Sequence, residues 1–146
     1  EDINGETYTE AIFQDYDLTM VNVFATWCSP CIAEIPYLEQ LSQDMADRGV
    51  GVVGIVLDTA DGEGGVDADA LDAAKTLAEE LETTYPFLIP DAGLMNGLLT
   101  GIQSIPTTFF VDSEGNLTGY AYVGSRSLEG WTEIVNSELE MLGGTE

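Results

Sequence analysis

The chain has no histidine, only three basic residues (Arg48, Lys75 and Arg126) and only two cysteines, Cys28 and Cys31. Each shortage excludes a class of function. A zinc centre needs about four ligands, and two cysteines with no histidine leave it short, so no metal is expected. Nucleic acid and anionic membrane surfaces attract basic faces; here 27 acidic residues against three basic ones give a formal net charge of -24, which repels both. No run of about 18 apolar residues occurs, so nothing in this sequence is expected to span a membrane as a helix. The abundant carboxylates read as a solvated, mutually repelling surface that keeps the chain soluble. The first residue is Glu1 rather than methionine, which points to a processed chain from which a signal or anchor segment has been removed.

The remaining composition supports a core. With 146 residues, 45% of them hydrophobic and 9% aromatic, the chain is expected to form one domain over residues 1–146. Asn4-Gly5 marks a turn before a short hairpin or edge strand, and Glu10 to Tyr16 reads as a brief helical turn. Leu18 to Ala25 is apolar and β-branched, which predicts a strand buried on both faces near the middle of a sheet. Ile32, Ile35, Leu38, Leu41 and Met45 recur at helical spacing, which predicts a helix from Ser29 to Asp47, interrupted by Pro36 and closed by Gly49. Gly49 to Leu57 is a second apolar run, and the three segments form a βαβ unit with parallel strands.

After the glycine-rich loop Asp61 to Gly65, which reads as a surface loop rather than a calcium site, Asp67 to Glu82 is an amphipathic helix. Tyr85 to Ile89, between Pro86 and Pro90, suits an edge strand, and Asp91 to Thr100 a short helix. Phe109 to Val111, the turn Asp112 to Asn116 and Leu117 to Val123 form an antiparallel hairpin. Ser127 caps a last helix whose core face is Leu128, Trp131, Ile134, Val135, Leu139 and Leu142.

Chemistry concentrates in Trp27-Cys28-Ser29-Pro30-Cys31, between the first strand and the first helix. Two thiols at this spacing can close a small disulfide, and the unpaired N–H groups of a helix N-terminus stabilise a thiolate on the first of them. Cys28 is therefore the candidate nucleophile. A purely structural bridge is the alternative, although so small a loop adds little chain-entropy stabilisation.

The order strand, Cys-x-x-Cys helix, strand, helix, Ile-Pro, antiparallel hairpin, terminal helix resembles the thioredoxin fold, an α/β architecture with a central mixed sheet flanked by helices. Within it the chain is similar to the TlpA/ResA-like extracytoplasmic thiol-disulfide oxidoreductases. The similarity rests on Val21 to Cys31, Glu34-Ile35-Pro36, Gly101 to Phe109 and Asp112 to Gly119, and includes a helix and strand inserted between Asp58 and Ile89.

That resemblance implies a redox-active Cys28–Cys31 disulfide with no further cofactor, and a cis Ile105-Pro106 peptide packed against it. The backbone of Ile105 would pair with an extended partner segment, alongside Ser29 and Pro30, and Trp27 would cover the disulfide, unless it is simply a core aromatic. Cytosolic thioredoxins carry a buried aspartate six residues before the first cysteine, where this chain has Asn22, which cannot take a proton. Glu34, one turn after Cys31, matches the acidic residue of the ResA-like proteins and could accept the Cys31 proton, or it is merely a solvent-exposed helix carboxylate.

The resemblance further implies a monomer working outside the cytoplasm, secreted or anchored through a segment outside this sequence. It would reduce disulfides of exported proteins and be recharged by a membrane electron-donor protein. An oxidant that introduces disulfides and a redox-inactive peptide-binding module of the same fold are the competing readings. A copper chaperone would need a Cys-x-x-x-Cys and a distant histidine, and a peroxiredoxin-type peroxidase a different proline and threonine setting around its nucleophile.

Overall fold

The computed structural model describes residues 16–45, 49–59, 67–85, 87–89, 105–113, 122–124 and 127–143. Five strands form one sheet in the order β3-β2-β1-β4-β5: β1 (Leu18–Phe24), β2 (Val50–Val56), β3 (Phe87–Leu88), β4 (Thr107–Asp112) and β5 (Tyr122–Val123). Among the described residues three α-helices accompany it, α1 (Ser29–Met45), α2 (Ala68–Glu80) and α3 (Leu128–Gly143), with a 3-10 turn at Leu57–Thr59. The thioredoxin-like architecture expected from the sequence is the one observed.

β1 is the centre of the sheet. It pairs parallel with β2 from Leu18↔Val50 to Phe24↔Val56, and antiparallel with β4 from Leu18↔Asp112 to Val23↔Thr107. All seven residues of β1 and of β2 are buried, as continuous apolar runs require when both sheet faces are covered. Side-chain alternation then sorts the strands: Met20, Phe24, Val52, Val56 and Phe110 join Leu38, Leu41, Ala74, Trp131 and Val135 in the larger core cluster. Val21, Val23, Val53, Ile55, Phe109 and Val111 form the second cluster on the opposite face. Asn22, an even-numbered member of β1, falls on the side of Met20 and Phe24.

The parallel β1–β2 pair needs a crossover, and α1 supplies it. The helix runs on through Pro36 instead of ending there, with that residue at the exposed surface. Gly49 follows α1 with φ +78°, a conformation that a side chain would strain, and its carbonyl accepts from Asp17 N and Leu18 N at 2.7 and 3.2 Å. Gly54 serves a different need: a Cβ there would lie 3.1 Å from Phe24 and 3.2 Å from Phe87, so its absence lets those rings close over the strand. Asp67 caps α2 by accepting from Ala70 N at 3.0 Å, and Ser127 caps α3 by accepting from Gly130 N at 3.1 Å. Of the expected α3 core face, Trp131 and Val135 are buried and Leu128, Ile134 and Leu139 are packed on the core. The first hairpin, the glycine-rich loop, the 91–100 helix, the β4–β5 turn and the packing of Leu142 lie outside the described residues.

β3 follows from a tie between α1 and the segment before it. The buried carboxylate of Glu39 accepts from Thr84 N (2.6 Å), Thr84 Oγ1 (2.7 Å) and Gln43 Nε2 (2.6 Å). Next along the chain, Tyr85 packs its ring 5.5 Å from Phe87, and its buried hydroxyl has no hydrogen-bond partner among the described residues. Burial first, then the charges of Glu39 and Glu34, push the Tyr85 phenol far above its ordinary value of 10.0. Its folded-state value is raised above the unfolded one, so its contribution to stability is complete below about pH 10 and is lost as pH rises further. Chemical denaturation between pH 8 and 11 should therefore show stability falling above pH 10. Tyr85→Phe should flatten that fall without loss of stability at neutral pH, because the hydroxyl it removes has no hydrogen-bond partner among the described residues.

Candidate active site

The site is built where β1, β2 and β4 present their ends on one edge of the sheet. β1 and β2 are parallel, so the chain leaving β1 at Phe24 and the chain leaving β2 at Val56 emerge side by side. Thr26 and Asp58 join the two exits. Asp58 Oδ1 accepts from Thr26 N at 3.0 Å, and the Thr26 hydroxyl donates to Asp58 Oδ2. This pair braces the turn that delivers Trp27 and Cys28, and neither Thr26 nor Asp58 was singled out by the sequence patterns. The one available signal was a carboxylate closing an apolar strand beside the cysteine loop.

Cys28 immediately precedes α1 and stands where a cap would. Its carbonyl accepts from Ile32 N at 3.0 Å, and its Sγ accepts from Cys31 N at 3.3 Å. The backbone donor that a helix N-terminus leaves unpaired is thus directed at the sulfur that would carry the thiolate. Cys28 and Cys31 are bonded as a disulfide with a Cα–Cα distance of 5.2 Å. Cys28 is 6% exposed and Cys31 fully buried, so of the two the first is the one within reach of a partner. Ser29 and Pro30 are exposed beside it. Trp27 is 71% exposed, which overturns the core-aromatic alternative: its ring stands on the surface next to the disulfide.

The Ile105-Pro106 peptide is cis. Thr107, the next residue, pairs with Val23 near the end of β1, so register alone brings Pro106 to the edge from which the cysteine loop departs. Pro106 is buried and its carbonyl accepts from Gly124 N at 2.8 Å, which ties the loop to the end of β5.

Glu34 is not a solvent-exposed helix carboxylate. It is 1% exposed, because position 34 of α1 turns into the core against β1 and α3. Oε1 accepts from Asn22 Nδ2 at 3.0 Å and Oε2 from Trp131 Nε1 at 2.9 Å. Asn22 Nδ2 also donates to Thr108 Oγ1 on β4 at 2.9 Å. Helical spacing places Trp131 on the core face of α3, where its ring is buried; its indole N–H has a polar partner that periodicity does not reveal. Among the described residues no group of three or more His, Cys, Asp or Glu side chains is arranged to hold a metal ion.

A mixed sheet of this order, with a bonded cysteine pair at the head of the crossover helix and a proline loop on the same edge, is that of a thioredoxin-fold protein. The chain belongs to the Redoxin family, whose sequence profile matches residues 3–133. It is 33% identical over 131 residues to the thiol:disulfide interchange protein DsbE of Haemophilus influenzae, an alignment that takes in 90% of this chain and 64% of that protein. It is 32% identical over 110 residues to the thiol:disulfide interchange protein HelX of Rhodobacter capsulatus, covering 75% of this chain and 54% of the relative. The chain thus spans less than two thirds of the length of these relatives. A solved thioredoxin-family thiol:disulfide interchange protein of Chlorobium tepidum superposes with a TM-score of 0.75 at 32% identity, over 94% of this chain and 90% of that one.

The brace between Thr26 and Asp58 generates a test. Asp58→Ala removes the acceptor of both Thr26 donors and should lower the unfolding free energy by about 1–3 kcal/mol, measured by urea denaturation. It should also slow alkylation of Cys28 in the reduced protein, since the turn that presents the thiol loses its hold. Asp58→Asn, which keeps one acceptor, should lie between.

Proposed function

We propose that this chain is an extracytoplasmic thiol-disulfide oxidoreductase of the TlpA/ResA-like kind, which reduces disulfides in exported proteins. The observation that carries this reading is the bonded Cys28–Cys31 pair at the head of α1, with the outer sulfur receiving a helix N-terminal N–H. In the reduced protein, the Cys28 thiolate attacks a partner disulfide, and one partner sulfur leaves as a thiolate while the other is held in a mixed disulfide. The Cys31 thiol then loses its proton and attacks Cys28 Sγ. The intramolecular bond closes, and the partner departs with both of its sulfurs reduced. Two electrons have moved from the Cys28–Cys31 dithiol to the partner.

Glu34, one helical turn from Cys31, is the group we assign to take the Cys31 proton. Trp27, Ser29 and Pro30 offer the surface around the reactive sulfur, and the loop at Ile105 and cis Pro106 offers backbone for an extended partner segment. The disulfide itself is the redox group, without a further cofactor. Each turnover leaves the pair oxidised, so a membrane electron-donor protein has to restore the dithiol. Anchorage or secretion would depend on sequence outside this chain.

The alternative within the same chemistry is an oxidant that donates its disulfide, and the alternative outside it is a module that grips peptides without redox turnover. Equilibration of the Cys28–Cys31 couple with a thiol buffer separates the first pair: a potential near about -270 mV is expected for the reductant, and one near about -120 mV would make the protein an oxidant. Cys31→Ser should trap covalent adducts through Cys28, read by non-reducing electrophoresis, and Cys28→Ser should abolish insulin disulfide reduction. Absence of both turnover in the native chain and adducts in the variant would leave only the peptide-binding module.

A further inference from the structure

We infer that Trp131 and Asn22 are positioning residues for Glu34, a pair of neutral donors that hold its carboxylate ready to receive the Cys31 proton. This rests on the reading of Glu34 as that acceptor and adds the groups that set when it can act. Glu34 is buried in the core. Its two oxygens accept from N–H donors on two other elements, Asn22 on β1 at 3.0 Å and Trp131 on α3 at 2.9 Å.

The chemistry of these donors matters more than their number. An indole N–H can only donate, so it bonds the carboxylate strongly and offers nothing to the hydrogen of a protonated acid. Asn22 is committed in the same sense: its amide directs Nδ2 at both Glu34 and Thr108, while Oδ1 is buried with no partner among the described residues. Turned around, the amide would set its carbonyl oxygen against a carboxylate oxygen. Both neighbours therefore favour the form of Glu34 that can accept a proton.

The Trp131 ring is fixed in turn. It is fully buried, edge-on to Tyr122 at 6.2 Å and 80°, and Tyr122 donates through its hydroxyl to Glu138 Oε1 at 2.7 Å. α3 thus fixes the direction from which Glu34 is approached.

The test combines kinetics with a spectroscopic probe in the unaltered chain. The rate at which the mixed disulfide resolves is followed against pH in the native protein and in Glu34→Gln, Trp131→Phe and Asn22→Asp. In the native protein the indole 15N–1H resonance of Trp131 is followed over the same pH range in the reduced state. The acid limb of the native profile is expected to share its midpoint with the movement of that resonance. Trp131→Phe should move the limb to higher pH and slow resolution roughly tenfold at the native midpoint, the effect of losing one bond to a charged group. Asn22→Asp should move it in the same direction, by setting a second carboxyl beside the first.

An acid limb unmoved in both variants, or a Trp131 resonance that stays still through it, overturns the positioning role while leaving Glu34 as acceptor. A Glu34→Gln profile identical to the native one overturns the acceptor itself, and the inference with it. Should the variants fail to fold, the resonance in the native chain decides.

Discussion

The double pairing of β1 is the constraint on which the rest of this molecule depends. One seven-residue strand is held parallel on one side and antiparallel on the other, with every side chain buried. Parallel pairing forces β1 and β2 to end together, which sets Thr26 beside Asp58. Antiparallel pairing forces β4 to begin where β1 ends, which sets the cis-proline loop at the same edge. The cysteine pair therefore lies at a junction defined by three strands, and α1 leaves from it with the Cys31 N–H already directed at the Cys28 sulfur.

A second theme is how a chain so poor in cations buries carboxylates. Glu34, Glu39 and Glu138 are all within the interior, and neutral groups among the described residues bond each of them: an asparagine amide and an indole for the first, a threonine backbone and hydroxyl and a glutamine amide for the second, a tyrosine hydroxyl for the third. Burying a charge without a partner would cost several kcal/mol. Charge-assisted bonds to neutral donors offset part of that cost. Each of the three also ties separate parts of the chain together: Glu34 joins α1 to β1 and α3, Glu39 joins α1 to the approach of β3, and Glu138 joins α3 to β5. Surface acidity and interior acidity thus do different work, the first repelling like molecules and the second cross-linking elements.

Sequence and structure divide the information unevenly. The strands, the crossover helix, the cap at Ser127 and the cysteine pair are legible in the residues, because continuous apolar runs, helical spacing and capping side chains are local patterns. Trp27 and Glu34 show where local patterns stop. A tryptophan beside a buried strand is equally consistent with core and surface, and a glutamate in the first turns of a helix is equally consistent with solvent and interior. Trp27, in the turn before α1, is exposed, and Glu34 is buried because the packing of α1 on β1 and α3 fixes which side of the helix faces inward.

By itself the sequence determined where the candidate chemistry lies: two thiols at the spacing that closes a small ring, ahead of a helix, in a chain with no histidine and no further cysteine to offer metal. What only the tertiary structure decided is which distant groups meet. Asn22, Thr108 and Trp131 converge around Glu34 from separations of 12 residues for Asn22 to Glu34 and 97 for Glu34 to Trp131. The reason is physical: periodicity reports the environment along one element, whereas hydrogen bonds between elements depend on strand register and on the rotation of packed helices, and neither quantity is written in any single segment of the chain.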